Sequence, residues 1–196
     1  MGRLEAVAYL YDRGAHFVLC RGKEAFQRGW QRRRPSLESV LKHGPEIGLI
    51  PYSVGTSALD IDYGDFGKLI EAKPPLVTVP SPRGGAHAYY QDDTPRRNRE
   101  WQAFGCRGDI RSAHGNLRLY ESGAERLASA LRLTPPGSEP FPADLFEAMG
   151  VEAPHFLPDE APHKLLVESP RAFRARTPDD LPDLATVFPI VSRHVV

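Results

Sequence analysis

The chain has 196 residues, 41% hydrophobic and 26% charged, which suits one globular domain plus an appendage and excludes wholesale disorder. Its two cysteines, Cys20 and Cys106, form no CxxC pair, which excludes a disulfide framework or a cysteine zinc knuckle and suits a reducing cytoplasm. No apolar run approaches the roughly 20 residues that span a bilayer, and Glu5 and Asp12 break any signal-peptide pattern. A cytoplasmic protein with no membrane partner is the expectation.

The formal net charge of zero hides an asymmetry. Residues 1–133 carry 20 basic and 15 acidic side chains, whereas residues 134–196 carry 5 and 10. Arginine supplies 20 of the 25 basic residues; its planar fork suits phosphate, although a GC-rich genome gives the same bias. The last 63 residues also hold 11 of the 19 prolines, starting at Pro135-Pro136. A domain over 1–133 and a Pro-rich acidic segment over 134–196 follow.

In chain order, AVAYLYDRG (6–14) and HFVLC (16–20) read as a hairpin about Asp12-Arg13-Gly14. Ser36 caps a short helix, LESVLKH, that Gly44 stops. EIGLIPY and TSALDIDYG read as strands, and Asp65 caps a helix, FGKLIEAK, that Pro74-Pro75 ends. LVTVPSP is extended, and RGGAHAYYQ is a glycine turn entering a strand. FGCRGDIRS and NLRLYES are two more short strands, and Ser122-x-x-Glu125 is a capping box opening GAERLASALRL. In the tail, Pro142-Ala143-Asp144 and Thr177-Pro178 can each start a short helix. About seven strands and three or four helices interleave without a regular βαβ repeat, which points to an α+β fold.

Asp60 and Asp62 alternate with Leu59 and Ile61, so the two carboxylates share one strand face while the apolar pair turns inward. Adjacent carboxylates repel, and Mg²⁺ or Mn²⁺ relieves that repulsion through oxygen ligands. By itself the pair is a weak signal, and ordinary charges at a solvated strand end are its commoner reading. Asp109, between Arg107 and Arg111, would be a third acid for a two-metal site or a member of a surface ion cluster. Arg83, Gly84 and Gly85 precede His87: two glycines let backbone N–H groups approach an anion, and Arg83 adds a phosphate donor. Arg32-Arg33-Arg34 follows Trp30, and Arg96, Arg97 and Arg99 precede Trp101. Each run pairs cations with an indole that could stack on a base of single-stranded DNA; each could also be a solvated loop beside a core anchor.

The ordered set Gly29-Trp30, IGL (47–49), LDID (59–62), PRGGAHAYY (82–90) and GDIR (108–111) resembles the bifunctional primase–polymerase (prim-pol) domain of the archaeo-eukaryotic primase superfamily, found in plasmids, phages and integrated elements. The resemblance covers roughly residues 4–125. It implies an RRM-like mixed sheet with flanking helices beside a smaller N-terminal unit, plus template-directed nucleotidyl transfer from NTPs or dNTPs on single-stranded DNA. Asp60, Asp62 and Asp109 would then be catalytic and hold two divalent ions, Mg²⁺ or Mn²⁺. Arg83, Gly84, Gly85 and His87 would bind the incoming nucleotide. Gly85 departs from the family, where serine is common two positions before the histidine, and the segment after Asp109 lacks the usual glycine-rich, proline-ended run. A separate helicase, or one in a longer parent chain, is an implied partner. A metal-dependent nuclease using the same acids and a non-catalytic RRM-like binding module are the alternatives.

Overall fold

The computed structural model describes residues 1–143, apart from Lys23, Glu121 and Glu139. The tail helices expected near Asp144 and Thr177 lie outside the described residues.

The first segment departs from the expected hairpin. Arg3–Asp12 is a helix, α1, whose Ala6, Val7 and Leu10 are buried. Val7, Tyr9 and Tyr11 in AVAYLY suit a strand, but Ala6, Ala8 and Leu10 favour a helix, and packing of α1 along α4 (Gly123–Leu133) decides for the helix. Two strands follow, β1 (His16–Arg21) and the short β2 (Glu24–Ala25). Helix α2 (Leu37–His43) starts where expected, with the Ser39 N–H donating to Ser36 Oγ at 3.2 Å, and it ends at Gly44. Strand β3 (Ile47–Ile50) runs through a 3₁₀ turn into β4 (Thr56–Tyr63). Asp65 caps α3 (Phe66–Ala72) by accepting from Gly67 N–H at 3.0 Å. Strands β5 (Val77–Pro80), β6 (Ala86–Gln91), β7 (Arg99–Ala103), β8 (Cys106–Arg111) and β9 (Leu117–Arg118) precede α4. The expected capping box is not formed: the Ser122 hydroxyl accepts from Arg126 Nε instead.

The nine strands build two sheets, ordered β2-β1-β3-β9 and β5-β6-β4-β8-β7. Every pairing between these strands is antiparallel, so the α+β class holds while the expected mixed sheet does not. The largest core joins both sheets to α1, α2 and α4 through Phe17, Leu49, Ala58, Tyr89 and Leu127. The opposite face of the five-stranded sheet buries Leu59, Ile61, Ala88, Tyr90, Trp101 and Ile110 beneath Leu69 of α3. Phe141 joins this second core, meeting Tyr90 edge-on at 6.0 Å, and its N–H donates to Gln91 O. The folded unit therefore runs past residue 133, the expected boundary, to Phe141. Among the described residues no helix is long and apolar enough to cross a membrane.

The segment 26–36 is tied to the first sheet at two places. His16, buried on β1, has Nε2 2.8 Å from Trp30 O, and Arg34 donates to Ala15 O and Tyr11 O while stacking 4.1 Å above the Tyr11 ring. Burial holds the His16 imidazole below its ordinary value of 6.5. A depressed folded pKa means the unfolded chain takes up the proton first. This contribution to stability is full above pH 6.5 and drains away as pH falls from there toward the folded pKa. Chemical denaturation between pH 8 and 5 checks this, because His16→Gln keeps a donor toward Trp30 O and flattens the acid side of the profile.

Candidate active-site cleft

The middle strand positions the site. In the register of β6, β4, β8 and β7, Asp60 lies opposite His87 on one side and Asp109 on the other, and Asp109 lies opposite Glu100. Residues directly paired across antiparallel strands share a sheet face, so His87, Asp60, Asp109 and Glu100 form one row. The neighbouring row, Ala88, Leu59, Ile110 and Arg99, faces the second core. The alternation expected for LDID thus holds at Leu59, Asp60 and Ile61. At Asp62 a register shift between Ile61 and Tyr63 interrupts the β4–β8 ladder, and Asp62 is exposed at the strand end, still lining the cleft.

Close backbone approach fixes this register. A Cβ at Gly108 would overlap the Asp60 carbonyl oxygen, and one at Gly85 would overlap the Ile61 carbonyl oxygen. Glycine at position 85 is therefore a steric requirement of this chain.

The acids and their neighbours line a cleft of about 950 Å³. One wall carries Asp60, Asp62, Asp109, Arg111 and His87, with Ser81, Pro82 and Arg83 beside them; Gly22, Trp30, Leu117 and Arg118 come from the first sheet and its loop. Within it His87 Nε2 stands 3.3 Å from Asp60 Oδ1, its ring is only 4% exposed, and Tyr120 tilts against it at 5.7 Å. His87 Nδ1 is buried without a hydrogen-bond partner. Arg111, two residues beyond Asp109 on the same face, lies between the carboxylates, 2.6 Å from Asp109 Oδ2 and 3.9 Å from Asp60 Oδ2. Tyr89, next but one to His87, has its phenol pushed well up, by burial first and by the Asp60 charge second. A second arginine, Arg118, lies over the Tyr120 ring at 5.7 Å and 3.9 Å from Glu46.

The turn before β6 is closed by Gly84 N–H donating to Ser81 O at 3.2 Å and by Ser81 N–H donating to Gly85 O at 2.9 Å. Gly84 takes φ +84°, which only glycine adopts without strain. The Gly84 amide is thus committed inside the turn, and Arg83 is exposed beside it.

The two arginine runs divide. Arg32 and Arg33 are exposed on the loop beside Trp30. Arg34 departs from the nucleic-acid expectation, being bound to backbone carbonyls and Tyr11. So does Arg96: it is buried, donates to both Asp92 carboxylate oxygens and stacks 4.3 Å over Phe141. Trp101 is buried in the second core, Arg99 lies on the row facing that core, and Arg97 is exposed ahead of β7. A run of charges in one dimension does not reveal which members are internally paired. Tyr63, 73% exposed and lining the cleft, and Tyr120 carried no sequence signal beyond their place next to the acids and β9.

Divalent ions fit the donor chemistry here in part. Three carboxylates line one cleft, and the Asp60–Asp109 pair already accommodates a cation, the Arg111 guanidinium. Among the described residues, no three His, Cys, Asp or Glu side chains converge as a ready-made metal centre. Comparison with models of known protein families, with curated proteins and with solved structures gives no match.

Gly108→Ala forces β8 away from Asp60, so it lowers unfolding stability by more than about 2 kcal/mol. Denaturant titration measures this, and an unchanged midpoint would contradict the close approach.

Proposed function

We propose that the protein is a nucleotidyltransferase that makes or extends primers on single-stranded DNA, as its resemblance to prim-pol domains implies. The observation supporting this most is that Asp60 and Asp109 face each other on adjacent strands, in the cleft that also takes Asp62, His87 and the exposed Arg83.

Asp60, Asp62 and Asp109 would hold Mg²⁺ or Mn²⁺, which when bound lowers the pKa of an attacking 3′-hydroxyl and offsets charge on the pyrophosphate leaving group. The chain's own residues do the rest. Arg83, at the tip of its turn, binds the triphosphate through its planar fork. His87 holds the Asp60 carboxylate in place, and contact with a triphosphate would trade that bond for one to phosphate. Arg111 neutralises Asp60 and Asp109 together, a role that divalent ions held by the same carboxylates would take over. Its ion pairs are partly solvent-exposed, so the exchange costs little.

Incubation with single-stranded DNA, Mn²⁺ and labelled nucleotides, with and without a primer, tests this. Short products that EDTA and Asp60→Ala or Asp109→Ala abolish are the expected result. Nucleotide release from DNA without dependence on added NTP would instead mark a nuclease. Arg111→Gln leaves the carboxylates facing each other without a cation. Its melting temperature rises more on adding Mn²⁺ than the wild type's does, as differential scanning fluorimetry would show.

A further inference from the structure

Residues 21–34 hold six basic side chains and one acid. With Arg34 committed to Tyr11 and two carbonyls, four described arginines remain on this stretch: Arg21, Arg28, Arg32 and Arg33, all exposed and none ion-paired. Among them stands Phe26, 50% exposed just after the short edge strand β2. Isolated exposed phenylalanines are ordinary, but this ring is braced as a platform. The His43 ring stacks on it at 5.4 Å and 12°, His43 is itself held by Cys20 O at 2.7 Å, and the Arg21 guanidinium sits 5.9 Å from the Phe26 centroid. The patch is continuous with the carboxylate cleft, because Gly22, next to Arg21, and Trp30, between Arg28 and Arg32, both line it.

We infer that this edge of the first sheet is the exit track for single-stranded nucleic acid, running from the cleft past Trp30 to a base stacked on Phe26. This rests on the nucleotidyl-transfer reading for its direction, though not for its chemistry. Unpaired arginines track a phosphate backbone, and a braced aromatic ring takes any base on its face. An acidic protein surface would satisfy the arginines and leave the ring unused; a strand uses both. The other arginine run gives the contrast, since Arg96 and Trp101 are buried and offer no such track.

Fluorescence anisotropy of a labelled oligothymidylate with the full chain, titrated with salt, tests the inference. Arg21→Gln/Arg28→Gln/Arg32→Gln/Arg33→Gln lowers the slope of log K against log salt by roughly 3. Phe26→Ala weakens binding about tenfold at unchanged slope. Arg126→Gln/Arg132→Gln, on the exposed side of α4, changes neither, and circular dichroism confirms that each variant is folded. If the quadruple variant binds like the wild type, or if the α4 pair costs as much as the patch, the track is wrong. A loss on removing the arginines with none for Phe26→Ala also overturns it, leaving only a polyanion patch. Primer extension on the same samples separates the two readings. Wild type that extends primers while the patch variants still bind normally keeps the enzyme and rejects the track. Strand binding through Phe26 with no nucleotide incorporation keeps the track and rejects the enzyme. Wild type that neither binds nor extends rejects both.

Discussion

The antiparallel register of β4 between β6 and β8 is the constraint from which the site follows. It brings His87, Asp60 and Asp109 from three strands, far apart in sequence, into one row across one face. A slip of one residue would turn the row into the second core and bring Leu59 and Ile110 into the cleft. Apolar burial on the core face opposes that slip, and so do Gly85 and Gly108, whose missing side chains let neighbouring strands press against the Ile61 and Asp60 carbonyls. Since the register sets the distances, the electrostatics of the cleft are set by the backbone before any side chain adjusts.

Two arginine–aspartate pairs show how burial separates scaffold from site. Arg96 and Asp92 are both buried, with a bidentate bond and Phe141 stacked on the guanidinium. Removing either partner would strand a buried charge, so this pair locks the strand connection after β6. Arg111 touches Asp109 at 2.6 Å, but both remain partly exposed along an open cleft. Such a pair contributes little net stability and exchanges readily. The same residue types therefore build a fixed brace in one place and a replaceable counter-ion in the other.

Much of this was legible in sequence, for identifiable reasons. β4 alternates apolar and acidic residues from Leu59 to Asp62, β6 is a short apolar-rich run after a glycine turn, α2 and α3 carry side-chain caps at Ser36 and Asp65, and Gly84 marks its turn. Asp60, Asp109 and His87 stood out because acids and a histidine at strand positions need a reason to be there. α1 was misread since its strand-favouring residues are helical only through α4. β7 was missed because Glu100 and Gln102 make it look like a loop, although an edge strand needs only Trp101 and Ala103 inward. The partners of Arg34 lie 19 and 23 residues away, and although Asp92 is only four residues from Arg96, the burial of that pair under Phe141 is a contact that no local pattern carries.

Phe141 also carries the packed unit beyond α4. It fills the core on the face of the five-stranded sheet opposite the carboxylates, with Gln91 O accepting from its N–H and Gln91 Nε2 donating to Pro135 O. Residues 134–143 are therefore a strap across the back of the sheet, and the chain leaves the described domain there rather than beside the cleft. Arg83 and the exposed arginines of the Arg21–Arg33 stretch belong to the described domain, even though the whole chain is formally neutral. Net charge, a property of the sum, conceals how unevenly basic and acidic side chains divide between residues 1–133 and 134–196.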